Sequence, residues 1–463
     1  MISLRFDQLA VATGGTLLST VNAARKFAGV SIDSRTVRKG QLFVAIRGPN
    51  DDGHSYIDAA LKNGAAGVVS RLEYPGLEGI PDNVAVVTVP DTHEAMLTLA
   101  RDYRKQLSAR FVAITGSNGK TTTKEFTYRL LEAANVNCFR SPGNLNNLYG
   151  VPLAVFAIPR QTEIAVLELG ISTMSEMPLL ASLVEPDVIA ITNVGPSHLQ
   201  FLESVEAVAK AKLELVQAAA ADVPVILNAD DKLLMREAHK CRPDFITFAT
   251  DSEADFRPQS VQPEENGASI VKIDGVSFRL TLPGKHQVCN LLAAYAMVKT
   301  LGYSLEGVDT MAIQLETSPM RGQVVRRDGI TIFADCYNAN PESVMAGLDA
   351  FFDRLGGGRR VLILGDMLEL GDQAAYYHRE LGRQLAEREF DLAVLVGPLS
   401  KHVMEEATRR GKPQGKFLHF ADAESCARAI SGCVEDGDLV FVKASRGVGL
   451  EAVIDAMPAG EDA

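Results

Sequence analysis

No run of apolar residues in the sequence approaches the roughly 18 to 20 that a bilayer-spanning helix requires, so no membrane insertion is expected. The opening Met1-Ile-Ser-Leu-Arg-Phe-Asp7 lacks the apolar core of a secretory leader, and a cytoplasmic chain is expected. Basic residues are in deficit: 46 Lys and Arg face 58 Asp and Glu, a formal net charge of -12. Binding to nucleic acid or to an anionic membrane depends on a basic surface that releases counterions, so no nucleic-acid partner is expected. An acidic ligand must instead meet locally placed donors. The six cysteines, Cys138, Cys241, Cys289, Cys336, Cys426 and Cys433, are scattered without a C-x-x-C pair, which removes the usual pattern for structural zinc or dithiol chemistry.

What is present is ample core material: 46% hydrophobic and 22% charged residues over 463 positions, more than one hydrophobic core accommodates. The first stretch mixes short β-rich runs, Gln41–Ile46, Gly67–Ser70 and Val84–Val89, with an amphipathic segment from Tyr56 to Lys62 and a helix from His93 to Gln106. Apolar runs then alternate with helical stretches, at Phe111–Ile114, Ile164–Leu167, Val188–Thr192, Val223–Leu227 and Phe245–Phe248, the pattern of a parallel sheet with crossover helices. An alternating, polar stretch from Asp251 to Pro283 reads as a small antiparallel addition before a helix from Asn290 to Thr300. A boundary is expected near Pro319 to Gln323, followed by strands at Ile330–Phe333, Val361–Leu364, Leu392–Val396 and Leu439–Val442. The expectation is an α/β protein of three domains: residues 1–90, a small N-terminal α/β unit; 91–320, a central P-loop-type parallel-sheet ATPase domain; and 321–463, a C-terminal Rossmann-like α/β domain.

The strand Phe111–Ile114 runs directly into Thr115-Gly-Ser-Asn-Gly-Lys-Thr-Thr122 and then into a helix-forming stretch. This is the context of a phosphate cradle. Gly116 and Gly119 permit a tight turn and close backbone approach, the helix start offers free N–H groups around Ser117, Asn118 and Thr122, Lys120 brings a cation, and Thr121 has a hydroxyl for Mg²⁺. Ile114 stands where the common G-x-x-x-x-G-K-[ST] pattern has its first glycine, so the loop is a shortened variant. The loop by itself suits a kinase, a GTPase-like switch or a transporter ATPase as well as a ligase.

Glu168 ends the next long apolar strand, where open α/β sheets present ligand groups, and is a candidate for Mg²⁺ opposite Thr121. His198 lies on the loop leaving Val188–Thr192, and Lys212 lies in the helical Val208-Ala-Lys-Ala-Lys-Leu-Glu214; by themselves they read as a surface histidine and a solvated face.

Taken in order, the T-G-x-N-G-K-T-T loop, Glu168, Asn193-Val-Gly-Pro-Ser-His198 and Ala211-Lys212 resemble the central domain of the Mur ligase family, ATP-dependent amide ligases that build the peptide of peptidoglycan precursors. The resemblance runs from about Ile32 to Val453. It implies ATP and two Mg²⁺ ions, with Thr121 and Glu168 sharing one, His198 on the second, and Lys212 carrying an N6-carboxylate that supports it. A carbamate supplies an oxygen ligand where an ammonium would repel the ion. Lys210 competes for this role, and Lys212 is favoured because it falls in the family's A-K-x-x-L pattern. The resemblance also implies nucleotide contacts from Asn290, otherwise read as a helix N-cap, from Arg321 in Pro319-Met-Arg-Gly322, and from Asp335. Lys120, His198 and Lys212 are the implied catalytic residues, and which group deprotonates the amine is left open.

Within the family, Gly143-Asn-Leu-Asn-Asn-Leu-Tyr-Gly150, Asp335-Cys-Tyr-Asn-Ala-Asn-Pro341 and Leu364-Gly-Asp-Met-Leu-Glu-Leu-Gly371 resemble the branch that adds D-alanyl-D-alanine to a UDP-N-acetylmuramoyl-tripeptide. Asn144, Asn146, Asn147, Tyr337, Asn338, Asn340 and Lys443 are the implied substrate residues. Ser34 and Arg35, in Ile32-Asp-Ser-Arg-Thr36, are candidates for diphosphate or uracil contact. A monomer that closes on its substrates is expected. The related alternatives are the tripeptide-forming ligase, whose D-N-P-R is absent, and a folylpolyglutamate synthetase. One departure stands out: the family's K-G-S-R reads Lys443-Ala-Ser-Arg446, which questions any close backbone approach at position 444.

Overall fold

A computed structural model describes residues 1–18, 22–48, 51–264, 268–307, 310–313, 320–353 and 357–458. Pro319 and residues 459–463 therefore lie outside the described residues. The N-terminal stretch forms a five-stranded sheet in the order Thr16–Leu17, Ala85–Val89, Gly67–Arg71, Leu42–Val44, Val30–Ser31, parallel except for its first pair. Helix Thr92–Lys105, capped by Asp91, leads out of it.

The central sheet is fully parallel in the order Ile246–Phe248, Val225–Asn228, Val188–Ile191, Arg110–Thr115, Ile164–Glu168, Cys138–Arg140. Its strands are continuous apolar runs because both faces are covered. Val112, Ile114, Val166 and Ala190 face helices Lys120–Ala133 and Lys285–Thr300, while Phe111, Ala113, Leu167 and Ile191 belong to the opposite core. Val223 is not in the sheet. Pro224 has no N–H for a ladder, and its carbonyl accepts from Ile189 N at 3.0 Å before the strand begins at Val225. Strand Cys138–Arg140 was not expected.

The polar stretch after Asp251 forms antiparallel strands Ser260–Pro263, Ser269–Ile273 and Val276–Leu280, with Thr310–Ile313 added in parallel. The helix behind them starts at Lys285, five residues earlier than expected, with Gly284 at its N-cap. Asn290 is thus a mid-helix residue, which removes the N-cap reading.

The second large sheet runs Gln323–Arg327, Ile330–Ala334, Leu439–Lys443, Arg360–Gly365, Leu392–Val396, Phe417–Phe420, parallel except for the first pair. Its two outer strands, at Gln323 and Phe417, are additions to the expected four. Helix Pro341–Phe352 starts on a capping box in which Asn340 Oδ1 accepts from Ser343 N, with Pro341 at the first turn.

Candidate active site

Strand Arg110–Thr115 sits between Val188–Ile191 and Ile164–Glu168, so successive crossovers leave it in opposite directions and open a crevice at its carboxyl end. The phosphate loop fills this position. Both glycines are required: Gly116 has φ +150° and an added Cβ would lie 1.9 Å from Thr192 Oγ1, while Gly119 has φ +79° and its Cβ would lie 2.2 Å from Asn290 Oδ1. The Asn193 loop holds the cradle from the side, accepting from Ser117 N at 3.0 Å through its carbonyl and from Asn118 N at 2.8 Å through Oδ1. Ser117 Oγ meets Ser197 Oγ at 3.0 Å. Lys120 folds back over the loop, donating to Gly116 O at 2.7 Å and Ser117 O at 3.2 Å. Burial lowers its pKa, Glu168 opposes that shift, and Arg321 is near enough to add to it. Thr122 is half-buried in the first helical turn, whose N–H groups have no partner within the helix.

Glu168 is 2% exposed and gathers its neighbours. Thr121 Oγ1 donates to Oε2 at 2.8 Å, Asn146 Nδ2 donates to Oε1 at 2.7 Å, and Glu168 N donates to Ser141 Oγ at 3.3 Å. Asn147 Oδ1 accepts from Tyr149 N and Gly150 N, starting helix Gly150–Ala157, whereas Asn144 is exposed at the turn. Lys212 is 3% exposed and makes no hydrogen bond or ion pair among the described residues. Burial, with Lys120 nearby, drives its pKa well below the ordinary lysine value. Lys210 is exposed on the same helix, Val205–Ala218.

His198, at φ +54°, places Nδ1 2.6 Å from Glu369 Oε2 of the C-terminal unit. Beside that contact, Gln200 N donates to Glu369 O at 2.9 Å and Gln373 Nε2 donates to Glu203 O at 3.1 Å. The first turn of helix Pro341–Phe352 reaches the phosphate loop itself: Asn340 Nδ2 donates to Asn118 Oδ1 at 2.8 Å, and Asn118 Nδ2 donates to Glu342 Oε2 at 3.1 Å. Glu342 has its carboxyl pushed up to about 7 by burial and by Asp231. Arg321 stacks 3.9 Å from the Tyr337 ring centre. Lys443, 3% exposed, pairs with Asp335 and donates to Asn338 O at 3.2 Å, so its ammonium holds the Asp335–Asn340 loop from beneath while Asn338 itself is exposed. Ser34 is buried and its carbonyl accepts from Asn63 Nδ2 at 2.8 Å; Arg35 is bidentate to Asp33. Among the described residues neither makes a hydrogen bond or ion pair to the central site.

Glu342, Glu369 and Ser141 are additions to the residues expected from sequence; Glu369 lies within the quoted Leu364–Gly371 segment, while Glu342 directly follows Pro341. No three His, Cys, Asp or Glu side chains converge into a metal cage among the described residues. The hydroxyl and carboxylate of Thr121 and Glu168 fit Mg²⁺, which prefers a few protein oxygens together with water and phosphate oxygens.

Family models agree with this layout. "Mur ligase family, catalytic domain" matches residues 26–104, "Mur ligase middle domain" 114–298, and "Mur ligase, glutamate ligase domain" 320–446. The UDP-N-acetylmuramoyl-tripeptide–D-alanyl-D-alanine ligase of Bacillus subtilis is 35% identical over 457 residues, 98% of each chain. The chain belongs to the Mur ligase family. The Escherichia coli protein of the same name is 30% identical over 99% of each chain. Among solved structures, MurF from Acinetobacter baumannii aligns with TM-score 0.84 and 26% identity over 98% of both chains. The Thermotoga maritima MurF ligase in complex with ADP aligns with TM-score 0.77 and 29% identity, covering 93% of this chain and 96% of that one. For a Mur ligase the chain's Ala444 was the odd residue, and the fold accounts for it. Ala444 is fully buried and its methyl faces Gly365, where an added Cβ would lie 2.7 Å away. The Ala444 methyl thus packs in the space that Gly365 leaves on the neighbouring strand.

Proposed function

We propose that this Mur ligase joins D-alanyl-D-alanine to the terminal carboxylate of a UDP-N-acetylmuramoyl-tripeptide, using ATP. The carrying observation is the Thr121–Glu168 pair beside the phosphate loop, together with a buried lysine, Lys212, that lies near Lys120 and has no counter-ion among the described residues. The division 1–90, 91–320 and 321–463 then assigns UDP-precursor binding, ATP binding and dipeptide binding in turn. Ser34 and Arg35 serve the first, and a cytoplasmic location follows from the nucleotide-linked substrates.

A carboxylate is a poor electrophile, so it is first converted to an acyl phosphate with release of ADP; the amine of the dipeptide then displaces phosphate and loses a proton. In this scheme the N–H groups of the first helical turn, Lys120 and Arg321 bind and orient the triphosphate against its own charge repulsion, whereas the N–H groups of Ser117 and Asn118, expected to be free, are already taken up by Asn193. Asn290 lies against Gly119 and would face the adenine. Thr121, Glu168, His198 and a carboxylated Lys212 would hold Mg²⁺, which supplies charge neutralisation at the phosphates. A depressed pKa leaves Lys212 its free amine, the form that combines with CO₂ to give a carbamate and a proton. Asn144, Asn146 and Asn147 face the muramoyl peptide, and Tyr337, Asn338 and Asn340 face the incoming dipeptide. Docking of the C-terminal unit on Asn118 and His198 excludes water from the acyl phosphate.

Phosphate release assayed with each UDP-tripeptide, bearing lysine or a diamino acid at its third residue, tests the assignment. Release must require D-alanyl-D-alanine; stimulation by glutamate plus a folate instead would overturn it. For the carbamate, Lys212→Ala should regain activity with short-chain carboxylates, and recovery seen only for Lys210→Ala would move the assignment to Lys210.

A further inference from the structure

Lys124 has no part in the chemistry above, yet it is sealed from solvent, with 1% of its surface exposed. It lies one helical turn beyond Lys120 on Lys120–Ala133. Its Nζ donates to Ser141 O at 2.8 Å and to Gly143 O at 3.0 Å, and Glu125 Oε1 stands 3.6 Å away. Among the described residues neither carbonyl accepts another hydrogen bond. Burial lowers the pKa of the amine, opposed by Glu168 and Glu125. A methionine would fill the same space without that desolvation cost, so packing does not explain a lysine here. The carbonyl of buried Ser141, which has no other partner among the described residues, does, and the same ammonium ties down the exposed Gly143.

Those carbonyls belong to the segment that leaves strand Cys138–Arg140 and turns toward the site. Ser141 N donates to Val166 O at 3.0 Å, extending the ladder, and Ser141 Oγ accepts from Glu168 N. Three residues past Gly143, Asn146 meets Glu168 Oε1 and its carbonyl accepts from Gly170 N at 2.7 Å. On the other side of the strand end, Glu125 binds Arg140 at 2.8 Å and Arg140 stacks on Tyr128. Adjacent residues of the phosphate-loop helix therefore grip the chain just before and just within the turn that carries Asn144, Asn146 and Asn147.

We propose that Lys124 is a positioning residue for the muramoyl-peptide side of the reaction: it fixes the Ser141–Gly143 turn so that Asn146 reaches Glu168 and Asn144 and Asn147 are presented to substrate. This rests on the peptide-side assignment of those asparagines. Lys124→Met removes both donors and keeps the side-chain volume. The KM for the UDP-tripeptide should rise about tenfold, while the Kd for ADP changes less than twofold. Combination with Asn146→Ala should add little to that rise, because both act through one turn. Equal losses for peptide and nucleotide, or an unchanged peptide KM in a folded variant, overturn the proposal. Lys124→Gln, which keeps an uncharged donor in the pocket, is the second variant if the methionine is not tolerated, and should give a smaller rise of the same selectivity. Amide exchange across residues 141–147 of the ligand-free protein should accelerate about tenfold in Lys124→Met with residues 115–119 unaffected. That measurement needs no substrate, so it stands or falls separately from the functional assignment. Unchanged exchange there refutes the positioning role.

Discussion

Gly195, in the loop between Asn193 and His198, does not adopt a positive φ, so backbone conformation gives no reason for a glycine there. Close approach does. A Cβ at position 195 would lie 2.0 Å from Glu342 Oε2, 2.2 Å from Cδ and 2.4 Å from Oε1. Non-bonded heavy atoms settle near 3.5 to 4.0 Å, so in Gly195→Ala the carboxylate must retreat by about 1 Å or more. Its hydrogen bond from Asn118 Nδ2, 3.1 Å long, does not survive that movement. Losing one such bond costs about 1 kcal/mol, roughly a fivefold shift of the docking equilibrium toward the open form. The amide of Gln200, which donates to Glu369 O across the same interface, is a reporter of that opening. Its hydrogen exchange should quicken about fivefold in Gly195→Ala. In a Glu342→Ala background the same substitution should do nothing further, since the obstructing group is gone. A full fivefold effect in that background would refute the steric account.

Three other outcomes are expected. Glu342 titrates high when docked, so the docked form holds a proton that the open form releases at the ordinary carboxyl value of 4.5. Its contribution is complete below that value and is lost as pH rises through about 7, so the opening constant at Gln200, corrected for intrinsic exchange, should increase over that window and flatten in Glu342→Gln. Glu369→Gln, which keeps the side-chain shape but not the charge beside His198, should lower kcat about tenfold with little change in the KM for ATP, measured by steady-state phosphate release. Gly365→Ala should destabilise the protein by about 1 to 3 kcal/mol in urea denaturation, and Gly365→Ala with Ala444→Gly should recover only part of it, because Val448 Cγ1 still lies 2.9 Å from the new methyl.

The central sheet was legible because strands buried on both faces must be continuous apolar runs, as Phe111–Ile114 and Ile164–Leu167 are. Cys138–Arg140 escaped notice because it is a three-residue edge strand with half-buried side chains. Gln323–Arg327 is likewise an edge, half polar in sequence. The phosphate loop and Glu168 were readable because their chemistry is local to a strand end. Glu342 and Glu369 were not, since each acquires its meaning from a partner more than a hundred residues away. Lys124 sits in Lys120-Thr-Thr-Thr-Lys-Glu125, a stretch whose polarity gives no hint that one lysine is sealed from water. The early start of helix Lys285–Thr300 was masked by polar Lys285-His-Gln, and it turned Asn290 from a capping residue into one that packs on Gly119.

The meeting of Gly365 and Ala444 bears on how such chains are recognised at all. Gly365 leaves the space that the Ala444 methyl fills, and Val448 Cγ1, which would lie 2.9 Å from an added Cβ, closes the same space from another side. A signature that demands glycine after Lys443 treats this chain as defective, although its alanine there is accommodated. Reading position 444 together with the glycine it packs against would keep such a chain.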